Sequence, residues 1–519
     1  MEGNQGSEPG GAWGRPGGSG GDPTKPDNRF GRGLGLATRT QASGHYFERR
    51  RLGLAFLRRA EPMTGDPERL RKIWLMVVSL GIGIAMLVGA LVVGFFRPAG
   101  LIDDSTTIVA VRKTGALYVQ VDGRLHPVLN LVSAQLIAGK PDMPKWVNQS
   151  EVDRKPRGPE LGIEGAPVDL PRISSPEVSR WTVCDTGATT MGGAPVVTGI
   201  NGTLTFGQGA DVLGDDAAVL MSFDGITYLV HDGVRMPVDL GDRAVTTSLG
   251  IAPGAGVQPM SRALFDAIPA RGAIVVPTVP NAGAVSPFNW GRGVVVGSVV
   301  SSQDVAGGPD QFYVVLGDGV QPVSPVVAAL LRQRESFDTA KPVAVPPDRL
   351  AEAAVRHVLD VDFYPTNPVQ LVDSDASPVV CSAWEFKLGE RQAQIRVVSG
   401  RGLPIRNDQH KSVVHFHGGG SDGVQADQVL LSDDAATFIT ATGLAVDSPR
   451  RQTIWLISDS GKRFGVPFDE DSLRALGLAR VGQRGISDAV RTAPWAMVQV
   501  WPAGPELSRA AANYEHGRA

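Results

Sequence analysis

Three histidines, His410, His415 and His417, precede a glycine run at 418–420. In an extended segment His415 and His417 share a face, as a pair of metal ligands would. No acidic residue stands at the spacing of a hydrolytic zinc motif, so a solvent-facing strand and turn explain them better. The acidic groups Asp215–Asp216, Asp433–Asp434 and Asp469–Glu470–Asp471 have the composition of catalytic carboxylates. Turns and a helix start account for them, because acids favour the positive end of a helix dipole. Cys184 and Cys381 are the two cysteines. They are too few for a four-cysteine zinc site and are candidates for one disulfide, with free thiols as the alternative. No Gly-x-Ser-x-Gly elbow occurs, and Ser261–Arg262 opens a short run, ALFDAIP, that reads as a packing helix. A phosphate loop of the Walker type is missing too. Gly139–Lys140 is followed by Pro141, and Gly461–Lys462 by Arg463. No catalytic residue, metal-ligand set or required cofactor is read from these motifs.

The elements around these residues are more informative. The chain has 519 residues, 42% of them hydrophobic, and a net charge of −3, which excludes a whole-chain nucleic-acid footprint. Gly (64) and Pro (38) make an all-helical fold a poor fit and favour short strands joined by tight turns. Residues 73–96, IWLMVVSLGIGIAMLVGALVVGFF, carry no charge. As a helix they span roughly 36 Å, enough to cross a hydrocarbon layer of about 30 Å. The position, 72 residues in, rules out a cleaved signal peptide. Arg69, Arg71 and Lys72 flank the N-terminal end and Arg97 alone flanks the other, so the positive-inside rule puts residues 1–72 in the cytoplasm. The expected molecule is a single-pass protein of the cytoplasmic membrane. Its large extracytoplasmic domain is α+β, mainly β.

Residues 1–37, rich in Gly and Pro, are expected to be a disordered tail. Residues 38–72 read as a basic amphipathic cytoplasmic helix. In it Arg49, Arg50, Arg51, Arg58 and Arg59 alternate with Phe47, Leu52, Leu54, Phe56 and Leu57. With Arg71 and Lys72 they form a surface for anionic headgroups or a cytoplasmic partner.

In the exported domain a single pattern recurs four times. An aromatic-containing strand meets an Asp/Gly turn, then a second strand ending near Pro. The turns are Asp122–Gly123, Asp232–Gly233, Asp318–Gly319 and Asp459 to Gly461. Asp-Gly supplies the positive φ angles that a two-residue hairpin requires. Short helices are expected after the first, third and fourth hairpins, at 133–137, 325–331 and 472–476. The reading is four hairpin-plus-helix modules, at 99–150, 206–270, 271–334 and 421–503. They surround a central domain built from 170–205 and 335–420, with PVAVPP (342–347) as a stiff connector and 505–519 as a frayed C-terminal tail. A bond between Cys184 and Cys381 would close a loop of about 200 residues, worth at most about 5 kcal/mol.

Several blocks together resemble the EccB component of the type VII (ESX) secretion membrane complex of mycobacteria and actinobacteria. They are QASGHYFERR (41–50), FRPAG (96–100), TGALYVQVDGRLHPVLNLVSAQLI (114–137), GPELGIEGAP (158–167), WTVCDT (181–186), SRALFDAIP (261–269), DQFYVVLGDGVQPVS (310–324) and SGKRFGVP (460–467). The likeness runs from about residue 38 to 505. It implies a structural membrane-core subunit that supports export of small WXG100-type proteins. The implied partners are subunits of the EccC, EccD and EccE types, a mycosin protease and a second copy of the chain. It also implies repeats similar to phage-lysin cell-wall-binding units, hence contact with peptidoglycan, and a disulfide at the positions of Cys184 and Cys381. The family name often carries an ATPase assignment. ATP hydrolysis by the exported domain, without a Walker motif, is therefore the alternative, and a cell-wall-binding anchor is a second one.

Overall fold

The computed structural model describes residues 39–58, 67–96, 102–187, 193–303, 307–417, 423–446, 453–479 and 488–516. The expected tail 1–37, Arg59 and Arg97 lie outside them. The chain divides into an N-terminal region, Met1–Arg97, and a C-terminal body, Pro98–Ala519. In the N-terminal region a helix covers Arg39–Arg58. Tyr46, Phe47, Leu52 and Phe56 are exposed along it. A second helix, Pro67–Phe96, begins with proline at a position where its missing N–H costs nothing. It absorbs residues 67–72, which the sequence reading assigns to the basic segment. Within it Arg71–Val92 is apolar and wholly uncovered by protein, and is the one span among the described residues long and apolar enough to cross a membrane.

Four of the sheets in the C-terminal body share one strand order. Each has a lead strand, two hairpin strands, a helix, and a closing strand that returns parallel to the lead strand on its far side. In the first unit these are Ile108–Val111, Leu117–Val121, Arg124–Val128, Leu131–Ala138 and Lys145–Val147. The second has Ala217–Phe223, Ile226–His231, Val234–Pro237, Arg243–Leu249 and Gln258–Pro259. The third has Val299–Ser302, Gln311–Leu316, Gly319–Val323, Pro325–Arg334 and Val343–Ala344. In the fourth they are Phe438–Thr442, Ile454–Ile457, Arg463–Val466, Glu470–Ala475 and Val490–Pro494.

The helix in the second unit is a departure from expectation. RAVTTSL is a weak helix former, but both ends are capped. The Asp242 carboxylate accepts from Ala244 N and Val245 N, and Gly250 closes the helix at φ 75°. The proline-rich 342–347 is not a plain connector, since Val343–Ala344 joins the third sheet and a helix follows at Pro347–Ala351.

The central sheet has seven strands. Val178–Thr186 pairs antiparallel with Val379–Lys387 over nine residues, and Val196–Asn201, Gln394–Gly400, Ala210–Val212, Gln428–Leu431 and Val414–His415 extend it. Its boundaries differ from the expected ones. Ala210–Val212 and Gln428–Leu431 belong to it, whereas Gln370–Leu371 adds to the second unit's sheet. Strands of two to four residues carry no local signal, so only long-range pairing places them.

Packing pairs the units. The helices of the first and fourth share one core, with Leu136, Ile137, Phe438, Phe464 and Leu476 in it. Those of the second and third share another, with Leu249, Val276, Leu316 and Leu331. One face of the central sheet lies against both the second and fourth units through Trp181, Trp384, Met221, Leu264, Met497 and Trp501. Residues 505–516 of the expected tail are not frayed. Leu507 and Ala512 are fully buried in the core shared by the first and fourth units. Glu515–His516 pairs with Glu160–Leu161 and so extends the first unit's sheet.

Leu507→Ala removes a side chain with no exposed surface at that junction. It is expected to destabilise the protein by about 2–4 kcal/mol, read as a lower denaturation midpoint with an unchanged slope.

Candidate assembly site: the stapled strands and the hairpin units

Cys184 and Cys381 stand directly opposite each other in the long central pair, with Cα atoms 3.9 Å apart, and are joined by a disulfide. Both are fully buried. The alternation of the strands puts them on one face with Ile200, Val398 and Leu430, while Trp181 and Trp384, also opposite each other, point to the other face. Trp181 meets Trp501 edge-on at 6.0 Å. Trp384 Nε1 donates to Leu444 O at 3.0 Å. The staple therefore sits beneath the layer that joins the unit pairs.

Next to Cys184, Asp185 is the one buried carboxylate among the described residues. Ser261 donates to it twice, from N and from Oγ, each at 2.6 Å. Ser261 Oγ in turn accepts from Leu264 N and caps the helix Arg262–Ala267, so a single hydroxyl ties the central sheet to the second unit. Burial pushes the Asp185 carboxyl up to about 7 and the charge of Asp427 adds to this, against the two hydrogen bonds from Ser261. Sequence reading treats Ser261 as packing and does not single out Asp185. Only the fold brings residues 76 positions apart together.

The hairpin turns are in place, with one change. Asp122 (φ 49°) and Gly123 (φ 73°), and Asp232 (φ 46°) and Gly233 (φ 74°), form left-handed two-residue turns. The third loop is Gly317–Asp318, because Leu316 pairs with Gly319. Gly319 serves close approach instead, since a Cβ there would meet Ala354 O at 2.2 Å. In the fourth, the loop spans 458–462, with Gly461 at φ 77°.

The units also share features that the sequence pattern does not display. A strand tyrosine faces a proline in three of them, as Tyr118–Pro127, Tyr228–Pro237 and Tyr313–Pro322; the fourth has Trp455–Gly465. In all four, a returning segment makes a parallel bridge to the outer hairpin strand: Leu125–Arg157, Arg235–Ala270, Val320–Val355 and Arg463–Ala503. Each bridge uses two hydrogen bonds of 2.8–3.0 Å, which occupy some of an otherwise open edge. A guanidinium lies over the strand aromatic in three units, with Arg157 on Tyr118, Arg235 on Tyr228 and Arg463 on Trp455.

The candidate catalytic groups do not converge. His410, His415 and His417 are exposed, and no group of three potential metal ligands forms among the described residues. Asp469 caps the helix Glu470–Ala475, and Asp434 ion-pairs with Arg180 at 3.7 Å. Asp215 and Asp216 do enter a cleft of about 850 Å³, with Asp232, Asp360, Asp362 and one arginine, Arg271. Among the described residues none of these carboxylates makes an ion pair, so the cleft is strongly negative and opposes a bare polyphosphate. Arg49, Arg50 and Arg51 are exposed on the first helix, and Arg71 and Lys72 on the second. The Arg58 side chain lies outside the described ones.

The chain combines a helix long and apolar enough to cross a membrane with hairpin units joined through a stapled sheet, the layout of a membrane-anchored protein with a large folded body. Residues 34–519 match the family model described as type VII secretion system ESX-1, transport TM domain B. The chain belongs to this family, the EccB proteins. It is 41% identical over 487 residues to the ESX-2 secretion system ATPase EccB2 of Mycobacterium tuberculosis, covering 92% of this chain and 95% of that one. To the ESX-5 secretion system ATPase EccB5 of the same organism it is 39% identical over 492 residues, covering 94% and 95%. Among solved structures, a chain of an intact ESX-5 inner membrane complex matches with a TM-score of 0.72 and 38% identity, over 94% of this chain and 97% of that one. The EccB3 dimer from the ESX-3 core complex matches with a TM-score of 0.68 and 37% identity, over 79% and 100%.

Cys184→Ser is expected to change mobility on non-reducing gels and to cost about 2–4 kcal/mol, read by thermal melting. For Asp185 the folded state holds the proton more tightly than the unfolded chain, so its contribution to stability falls as pH rises from about 4 to about 7. Asp185→Asn should therefore melt with a flatter pH dependence than wild type over that window.

Proposed function

We propose that this chain is a structural membrane-core subunit of a type VII secretion complex. It would be anchored by 73–96 with the N-terminus cytoplasmic, and would support export of small WXG100-type proteins. The observation that carries the reading is the match along 94% of the chain to a subunit of an assembled inner membrane complex. Self-association is supported by the dimer of the EccB3 relative. On this reading the exposed basic helix docks with EccC- and EccD-type subunits, and the exported units meet a second copy, EccE-type subunits, a mycosin or peptidoglycan.

ATP hydrolysis is the second reading, favoured by the printed names of the EccB2 and EccB5 relatives. It requires an unconventional site. ATP turnover by the full-length protein in detergent, abolished by one polar substitution that leaves melting unchanged, would replace the scaffold reading.

Substituting Arg49, Arg50 and Arg51 together by Glu should lower recovery of the solubilised complex several-fold in pull-downs, with the melt of the exported domain unchanged. Normal recovery would remove this helix as a docking element.

A further inference from the structure

The acidic cleft of about 850 Å³ has no part in the assembly reading. Its walls come from 215–216, 231–234, 270–272 and 360–367, so the second unit and the chain that follows the third unit build it together. Asp215, Asp216, Asp232, Asp360 and Asp362 stand there against one cation, Arg271. Asn367 Nδ2 donates to Asp216 Oδ1 at 3.2 Å and holds that carboxylate in place. Carboxylates alone do not make a site, since solvated turns carry them commonly.

Two further groups point to a ligand. His231 lines the cleft although it is only 7% exposed. Its Nδ1 lies 3.0 Å from Ala217 O, which can only accept, so Nδ1 carries the proton and Nε2 of the neutral ring is an acceptor. Among the described residues Nε2 has no partner, and it is not sealed off by protein, so it opens on the cleft. The second group is an aromatic wall. Phe363 and Tyr364 line the cleft with ring centroids 4.8 Å apart. Tyr364 Oη donates to Val275 O at 2.9 Å and accepts from Val275 N at 3.2 Å, which fixes its ring. A Cβ at Gly272 would stand 2.9 Å from Phe363 Cζ, so glycine there lets the second ring lie against the chain.

Carboxylates, an acceptor nitrogen and aromatic faces together complement an alkylammonium group. The oxygens and Nε2 accept its N–H bonds, while the rings attract its charge and cover its stem. A metal ion is a poorer match, because no three potential ligands gather at a point among the described residues. Carboxylates spread around a cleft call for charges spread along a ligand. A single lysine side chain would answer one of them, whereas the volume suits a whole small molecule.

We propose that this cleft binds a linear polyamine, a small molecule with two or more ammonium groups on an unbranched chain. The proposal goes beyond the scaffold reading and does not depend on it. Recovery of the complex in pull-downs bears on that reading alone.

The test is calorimetric titration of the full-length protein in detergent with spermidine, with butylamine and magnesium chloride as comparators at matched ionic strength. One saturable site per chain is expected, with butylamine at least tenfold weaker and magnesium unable to displace spermidine at equal concentration. Asp360→Asn combined with Asp362→Asn changes two exposed side chains. It should weaken spermidine binding at least tenfold with an unchanged melting curve. His231→Phe keeps a ring and removes the acceptor, and Phe363→Leu removes an aromatic face; each should weaken binding severalfold in protein that melts normally. Asp122→Asn, at the turn of the first unit, should titrate as wild type. A blocked Gly-Lys-Gly-Lys-Gly peptide separates a small molecule from a polypeptide. Weaker binding than spermidine supports the proposal, and binding as tight or tighter overturns it. Displacement by magnesium, a titration without saturation, or undiminished spermidine binding in the folded double variant would overturn it too.

Discussion

The structure of the C-terminal body depends on one pairing, nine residues long, between segments about 200 positions apart in the chain. Val178–Thr186 and Val379–Lys387 meet in register, with Cys184 bonded to Cys381 on one face and Trp181 opposite Trp384 on the other. A slip of one residue would separate the sulfurs and turn the tryptophans away from the second and fourth units. The covalent bond fixes the register, and the tryptophan layer uses it. Closing so long a loop is entropically costly for the open chain, and the bond removes much of that cost from folding.

Around this pairing the chain repeats one solution four times. A three-stranded meander, a helix and a parallel closing strand leave the outer hairpin strand at the sheet edge in the second, third and fourth units, while Glu160–Leu161 pairs beside it in the first. Each unit covers some of that edge with a two-bond bridge from a returning segment. Open edges invite pairing with other chains, so the bridges suit a protein that must associate through chosen surfaces. Side chains at the bridges vary while the backbone geometry persists, and a shared geometry can thus serve unlike contacts.

What the residues disclosed and what they concealed follow from the range of the physics involved. The membrane helix and the hairpin turns at Asp122 and Asp232 are local, set by apolar length and by φ angles, and both are readable from the sequence. The third turn misleads by one residue, because Gly319 answers to the carbonyl of Ala354, 35 positions on. The second unit's helix is hidden by its β-branched threonines and revealed only by its caps at Asp242 and Gly250. The two-residue closing strands, the pairing of first with fourth and second with third units, and the Asp185–Ser261 contact are long-range. Buried Asp185 resembles any strand-end aspartate until the helix packs on it.

Folding order is constrained by the way the polypeptide closes on itself. The unit nearest the membrane helix in sequence borrows Leu507 and Ala512 for its core and Glu515–His516 for its sheet. Synthesis runs from the amino end, so this unit is made first and completed last. Until residues 507–516 emerge, part of its apolar surface stays uncovered and open to capture by chaperones or neighbouring chains. Residues 507–516 thus act as a latch on the first unit, and a chain stopped before them would carry that unit unfinished.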